Sequence, residues 1–156
     1  MASLAKLGKF TLKELGLLLE AWFTFVKWDL LISFTEYDNW RNQISLSANS
    51  NDANVNLSDA TQVKQIKLII KLSEISARFQ LRKMNCLRRC ISQQQILKKR
   101  GFSAQMHIGV RFEKEKLLAH VWLTVQGKII NDSEAVTSRY SELKVNNEQV
   151  ILNTLK

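Results

Sequence analysis

Cys86 and Cys90 are the only thiols of the chain and His107 and His120 its only imidazoles. These few side chains bound the chemistry on offer. Cysteines four residues apart share one face if their segment is helical. The pair then reads as half of a metal site, as a structural spacer, or as a nucleophile beside a packed neighbour. A cysteine attacks as the thiolate, and the free N–H groups of a helix N-terminus stabilise that anion. Asn85 is a good N-cap residue, so Cys86 falls in the first turn and Cys90 beyond it. Cys86 is therefore the expected nucleophile, and Cys90 a small buried residue.

A thiolate needs a base. The period-two run after Gly101 turns Ala104, Met106, Ile108 and Val110 one way and His107 the other, so His107 is expected to be exposed. His120 lies in LLAHVWLTV, apolar on both faces, and reads either as a hydrogen-bonded core histidine or as the base, its ring oriented by a third residue. Asp132 is the candidate orienter, and strand parity sets the condition. A two-residue Gln126-Gly127 turn would pair Val121 with Asp132. A three-residue loop, Val125-Gln126-Gly127, would pair Thr124 with Lys128, Trp122 with Ile130 and His120 with Asp132. The three-residue loop, or an equivalent one-residue bulge, is expected, with Gly127 in the left-handed position. Trp122 either walls the site or belongs to the core. Zinc held by Cys86, Cys90, His107 and His120 is disfavoured, because the spacing is not that of a knuckle and strand parity points His107 elsewhere. No metal and no cofactor is expected.

These residues need elements to hold them. Residues 12–34 form a helix apolar around most of its circumference, interrupted by Glu14, Glu20, Lys27 and Asp29. Those charges argue against a membrane span. The helix is a core element or, through Trp22, Phe25 and Trp28, a docking surface for a partner or a membrane face. Residues 45–61 are rich in Ser, Asn and Asp and read as a linker whose last residues start a helix. An apolar stripe from Val63 to Ile75 continues that helix to about Phe79. The cysteine helix follows and stops at Gly101. A short antiparallel meander comes next, and the tail is undetermined. The expected class is α+β: N-terminal helices (1–44), a linker (45–61) and a core (62–156) in which a helix starting at Cys86 packs on a small antiparallel sheet carrying His120 and Asp132.

Composition sets the outer limits. The 156 residues suit one domain with a real core, at 46% hydrophobic and 24% charged. Two cysteines make no disulfide framework, and no cleavable signal of the usual form is read at the start, so a cytoplasmic setting is expected. The net charge of +9 admits an acidic partner or an anionic membrane. No aromatic but Phe79 interleaves with the basic cluster, so nucleic acid is not an expected partner.

The run CLRRCISQQQILKKRGFSAQMHIGVRF followed by LLAHVWLTVQGKIINDS resembles the leader peptidases of lasso-peptide biosynthesis, in the transglutaminase-like, papain-related cysteine protease superfamily. The shared features are Cys-Leu at a helix start, a basic stretch ending in Gly, Ile-Gly-Val, Ala-His-x-Trp, and Asn-Asp after a Gly hairpin, over roughly residues 80–143. The resemblance implies a Cys86-His120-Asp132 triad and removal of the leader from a ribosomally made precursor through a thioester. The Cys86 backbone N–H is the expected oxyanion donor, with Gln80 and Asn85 as minor candidates for a second. The chain looks like the split form of the family, which lacks a leader-recognition domain. The implied partners are the precursor leader, a separate recognition protein and a cyclase, with a membrane-bound exporter as a further candidate. A non-catalytic scaffold on the same fold, or a basic membrane- or partner-binding protein, are the rival readings.

Overall fold

The computed structural model describes residues 10–40 and 59–143. Most of the expected linker and the tail lie outside the described residues. Helix α1 spans Leu12–Phe34 and opens on a capping box: Thr11 accepts from the Glu14 N–H while Glu14 accepts from the Thr11 N–H at 2.8 Å. A single 3₁₀ turn follows at Tyr37–Asn39. Helix α2 spans Ala60–Arg78 with Asp59 as N-cap, and α3 spans Cys86–Lys98. Strands β1 (Gln105–Glu113), β2 (Lys116–Val125) and β3 (Lys128–Ile129) come next, then a short helix α4 (Glu134–Thr137) and strand β4 (Ser141–Glu142). The sheet is antiparallel in the order β3-β2-β1-β4.

Helix α3 is the hub. It packs against α1 and α2 on one side and against β1 and β2 on the other. Its buried positions include Leu87, Cys90, Ile91, Ile96 and Leu97, too many for one narrow stripe, as an element enclosed on two sides requires. The sheet offers α3 one apolar face. Met106 pairs with Leu123 and Ile108 with Val121, and all four are buried. Gly101, at φ +77°, ends the helix in the left-handed conformation, and the Phe102 N–H closes on the Leu97 carbonyl at 3.0 Å.

Helix α1 buries the face carrying Leu17, Ala21, Phe25, Trp28 and Ile32. This corrects the expected docking surface. Phe25 and Trp28 are fully enclosed; Trp28 donates its indole N–H to Gln95 at 2.6 Å and meets Trp40 edge-on. Trp22 is half-buried, its indole N–H directed at the Phe79 carbonyl. The rings and alkyl groups left facing solvent are Leu12, Leu19, Phe23, Leu30 and Phe34. Asp29 is drawn inside, where its carboxylate meets Arg88 Nε of α3 at 2.7 Å, an ion pair without hydrogen-bond alignment at that nitrogen. Among the described residues, no helix is long and apolar enough to cross a membrane.

Candidate active site

Cys86 is the first residue of α3. Asn85 caps the helix by accepting the Arg88 N–H at 3.0 Å, and the Arg89 N–H closes on the Asn85 carbonyl. The Cys86 N–H has no acceptor among the described residues, as expected of the first residue of a helix. The His120 ring and the Val121 and Leu87 N–H groups lie near enough to the thiol to act on its ionisation. Cys90, one turn on, donates its S–H to the Val121 carbonyl at 3.2 Å. The two thiols thus lie beside the two backbone polar groups of one residue on β2, at the edge that β3 no longer covers.

On β2, His120 Nε2 lies 2.5 Å from Asp132 Oδ2. That leaves Nδ1 as the ring nitrogen available to Cys86. Asp132 Oδ1 accepts the Ser133 N–H. The structure therefore brings Cys86, His120 and Asp132 together, although the expected hairpin is wrong. Thr124 pairs with Ile129 and Val125 with Lys128 around a two-residue Gln126-Gly127 turn, both at positive φ. A strand continued in that register would turn Asp132 away from His120. It does not continue: after Ile130, which still donates to the Leu123 carbonyl, the side chain of Asn131 takes the Leu123 N–H at 2.8 Å and the chain leaves the sheet.

Asn131 is the residue that sequence reasoning passed over, although it stands in the Asn-Asp motif. Its amide also donates to Cys90 Sγ at 3.1 Å and to Gln93 Oε1 at 2.9 Å. Gln93, fully buried, passes the network to Glu74, which in turn pairs with Arg89. Asn131, Cys90, Gln93 and Glu74 are thereby matched to one another. Cys90 lies at the centre of the network; burial pushes its thiol far above the usual range, so it stays protonated.

The electrostatics of Cys86 run the other way. Burial is the largest influence and pushes its thiol up. The His120 hydrogen bond, the Val121 N–H, the imidazolium charge and the Leu87 N–H together outweigh it, and the net shift is downward. The His120 imidazole is raised, first by its bond to Cys86; burial opposes this, and the bond to Asp132 adds to it. A lowered thiol beside a raised imidazole favours a thiolate–imidazolium pair.

A platform of rings holds His120. It lies between Trp122, stacked at 6.2 Å, and Tyr140, tilted at 5.1 Å. Trp122 is 6% exposed and carries His107 on its other flank at 5.7 Å. His107 does face away from the apolar row, but it is half-buried rather than exposed. Its Nδ1 meets Glu142 at 2.5 Å and its Nε2 meets Thr124 at 2.7 Å. Gly109, opposite His120 in the ladder, explains the Ile-Gly-Val motif. A Cβ there would come within 2.8 Å of Tyr140 Cβ and 2.9 Å of the Trp122 ring.

Of the minor oxyanion candidates, Gln80 donates to the Trp22 carbonyl at 3.1 Å and Asn85 acts as the helix cap. Among the described residues no group of three or more His, Cys, Asp or Glu side chains is arranged to hold a metal ion. His107 is separated from His120 by the Trp122 ring.

Comparison with curated proteins and with solved structures found no match. The sequence does match a family described as the transglutaminase-like superfamily over residues 25–145, a span that takes in the C-terminal part of α1, all of α2 and α3 and the whole sheet. With a cysteine opening the central helix, a histidine on the sheet and an aspartate just past the end of β3 meeting that histidine, the chain belongs to the transglutaminase-like superfamily.

Proposed function

We propose that this protein is a cysteine peptidase that removes the leader from a ribosomally made lasso-peptide precursor. In this reading Cys86 is the nucleophile, His120 the acid–base and Asp132 the group that fixes the imidazole. The observation that carries it is the 2.5 Å contact of the His120 ring with the Asp132 carboxylate beside the start of α3, where the Cys86 thiol is lowered and the imidazole raised.

The reaction follows from those positions. The Cys86 thiolate adds to the carbonyl of the last leader residue. The Cys86 N–H, at the positive end of α3, donates to the developing oxyanion. The imidazolium of His120 protonates the departing amine, the new N-terminus of the core peptide, and a thioester remains. Water, deprotonated by His120, then attacks the thioester, and the thiolate leaves with the leader carboxylate formed. The freed amine suits a subsequent amide-forming step by a separate cyclase, and the protein acts with a separate leader-recognition protein.

The test is to incubate the protein with a lasso precursor and its recognition protein and follow intact masses. Separate leader and core masses, lost on Cys86→Ala, are the expected result. An uncleaved precursor, together with a Cys86 inert to iodoacetamide near neutral pH, rejects a peptidase in favour of a scaffold.

A further inference from the structure

A cleft of about 430 Å³ opens between the C-terminal end of α2, the loop that follows it and the first turns of α3. Arg78, Arg82, Lys83 and Arg89 line it, against one carboxylate, Glu74, and an apolar floor at Met84. Two of the cations are held: Arg89 pairs with Glu74, and Arg82 reaches Asp29 at 3.4 Å. Arg78 and Lys83 are exposed, and among the described residues neither has a carboxylate partner. Two of the lining residues, Met84 and Arg89, also flank the nucleophile in the chain. Met84 is two residues before Cys86, and an extended chain advances about 3.3 Å per residue. Arg89 follows Cys86 by three positions in α3.

We infer that this cleft is a subsite for an acidic segment of the peptide substrate, placing Asp or Glu side chains against Arg78 and Lys83 a few residues from the bond attacked by Cys86. The inference rests on the peptidase reading and adds to it the chemical class of the substrate. Exposed cations without carboxylate partners attract an acidic segment, an attraction that salt screens.

The test uses alkylation of Cys86 by iodoacetamide, followed by intact mass, with peptides as protecting agents. Two pools of capped octapeptides are compared, one with Asp or Glu at alternate positions and one with Asn or Gln there. The acidic pool should slow alkylation roughly five- to tenfold more than the amide pool, and 0.5 M salt should shrink the difference. Arg78→Glu with Lys83→Glu should abolish the preference, while Lys116→Glu with Lys128→Glu, an equal change of charge on the exposed hairpins, should keep it. Equal protection by the two pools overturns the subsite alone. A thymidine octanucleotide that protects as well as the acidic pool overturns the peptide assignment. A Cys86 that does not react even without peptide overturns the peptidase reading, and the subsite with it.

Discussion

The side-chain carbonyl of Asn131 accepts the Leu123 N–H at 2.8 Å. In a regular antiparallel ladder that N–H would return the bond to the Ile130 carbonyl, since the Ile130 N–H already bonds to Leu123. By standing in for the backbone, Asn131 ends β3 without leaving the β2 edge unsatisfied. The chain can then turn, and Asp132 arrives at His120 instead of beside Val121.

If Asn131 acts by aiming Asp132, Asn131→Ala should lower kcat by about 10- to 100-fold, as loss of the support behind a site residue does. The double variant with Asp132→Ala should then be no slower than Asp132→Ala alone. Fully multiplicative losses in this cycle would show that Asn131 acts elsewhere.

Cys86→Ala should reduce leader cleavage by on the order of 10³-fold or more, because the nucleophile itself is gone. Cys90→Ala should leave turnover largely intact but destabilise the fold by roughly 1–3 kcal/mol in urea titration, since the Asn131 amide and the Val121 carbonyl lose their sulfur partner. The opposite pattern would transfer the nucleophile's role to Cys90.

The thiolate–imidazolium pair exists only above the pKa of Cys86 and below that of His120. With the thiol lowered and the imidazole raised, kcat/KM should be bell-shaped, with an active window wider than free Cys and His would allow. Asp132→Asn removes one of the influences that raise His120, so the basic limb should move to lower pH while kcat falls at least about tenfold. A basic limb that stays in place means that Asp132 does not tune the imidazole.

Gly109→Ala places a methyl group against Tyr140 and Trp122, neither of which can yield without disturbing the rings around His120. A cost of about 1–3 kcal/mol is expected from such overpacking, together with a loss of activity. Chemical denaturation and kinetics on the same sample provide the check; a variant as stable and active as the parent would mean the platform is looser than described.

Asp29 and Arg88 form a buried pair between α1 and α3, with side chains 12% and 6% exposed. Asp29→Ala strands the guanidinium and should cost about 3–5 kcal/mol, whereas Asp29→Leu with Arg88→Met should recover most of it. The comparison is made by urea unfolding of the three proteins.

What could be read from the sequence is what neighbouring residues decide among themselves. The apolar run from Leu12, the Asn85 cap, the Gly101 stop and the switch to period two all rest on residues close together in the chain. They were enough to delimit α1 and α3, place Cys86 at a helix start and single out His120 and Asp132 as its candidate partners. The buried face of α1 was a different matter. A helix apolar nearly all round has no local preference, so only the packing of α2 and α3 decided that Phe25 and Trp28 go inside while Phe23 and Phe34 stay out. The hairpin offered a similar choice. Gln126 and Gly127 both accept positive φ, which suits a two-residue turn as well as the three-residue loop expected. The alignment of Asp132 was settled instead by Asn131, whose amide is held by Cys90 and Gln93 of α3, some forty positions earlier. Local preference sets which elements form; contacts between residues far apart in the chain set how a short polar side chain at a strand's end redirects the backbone.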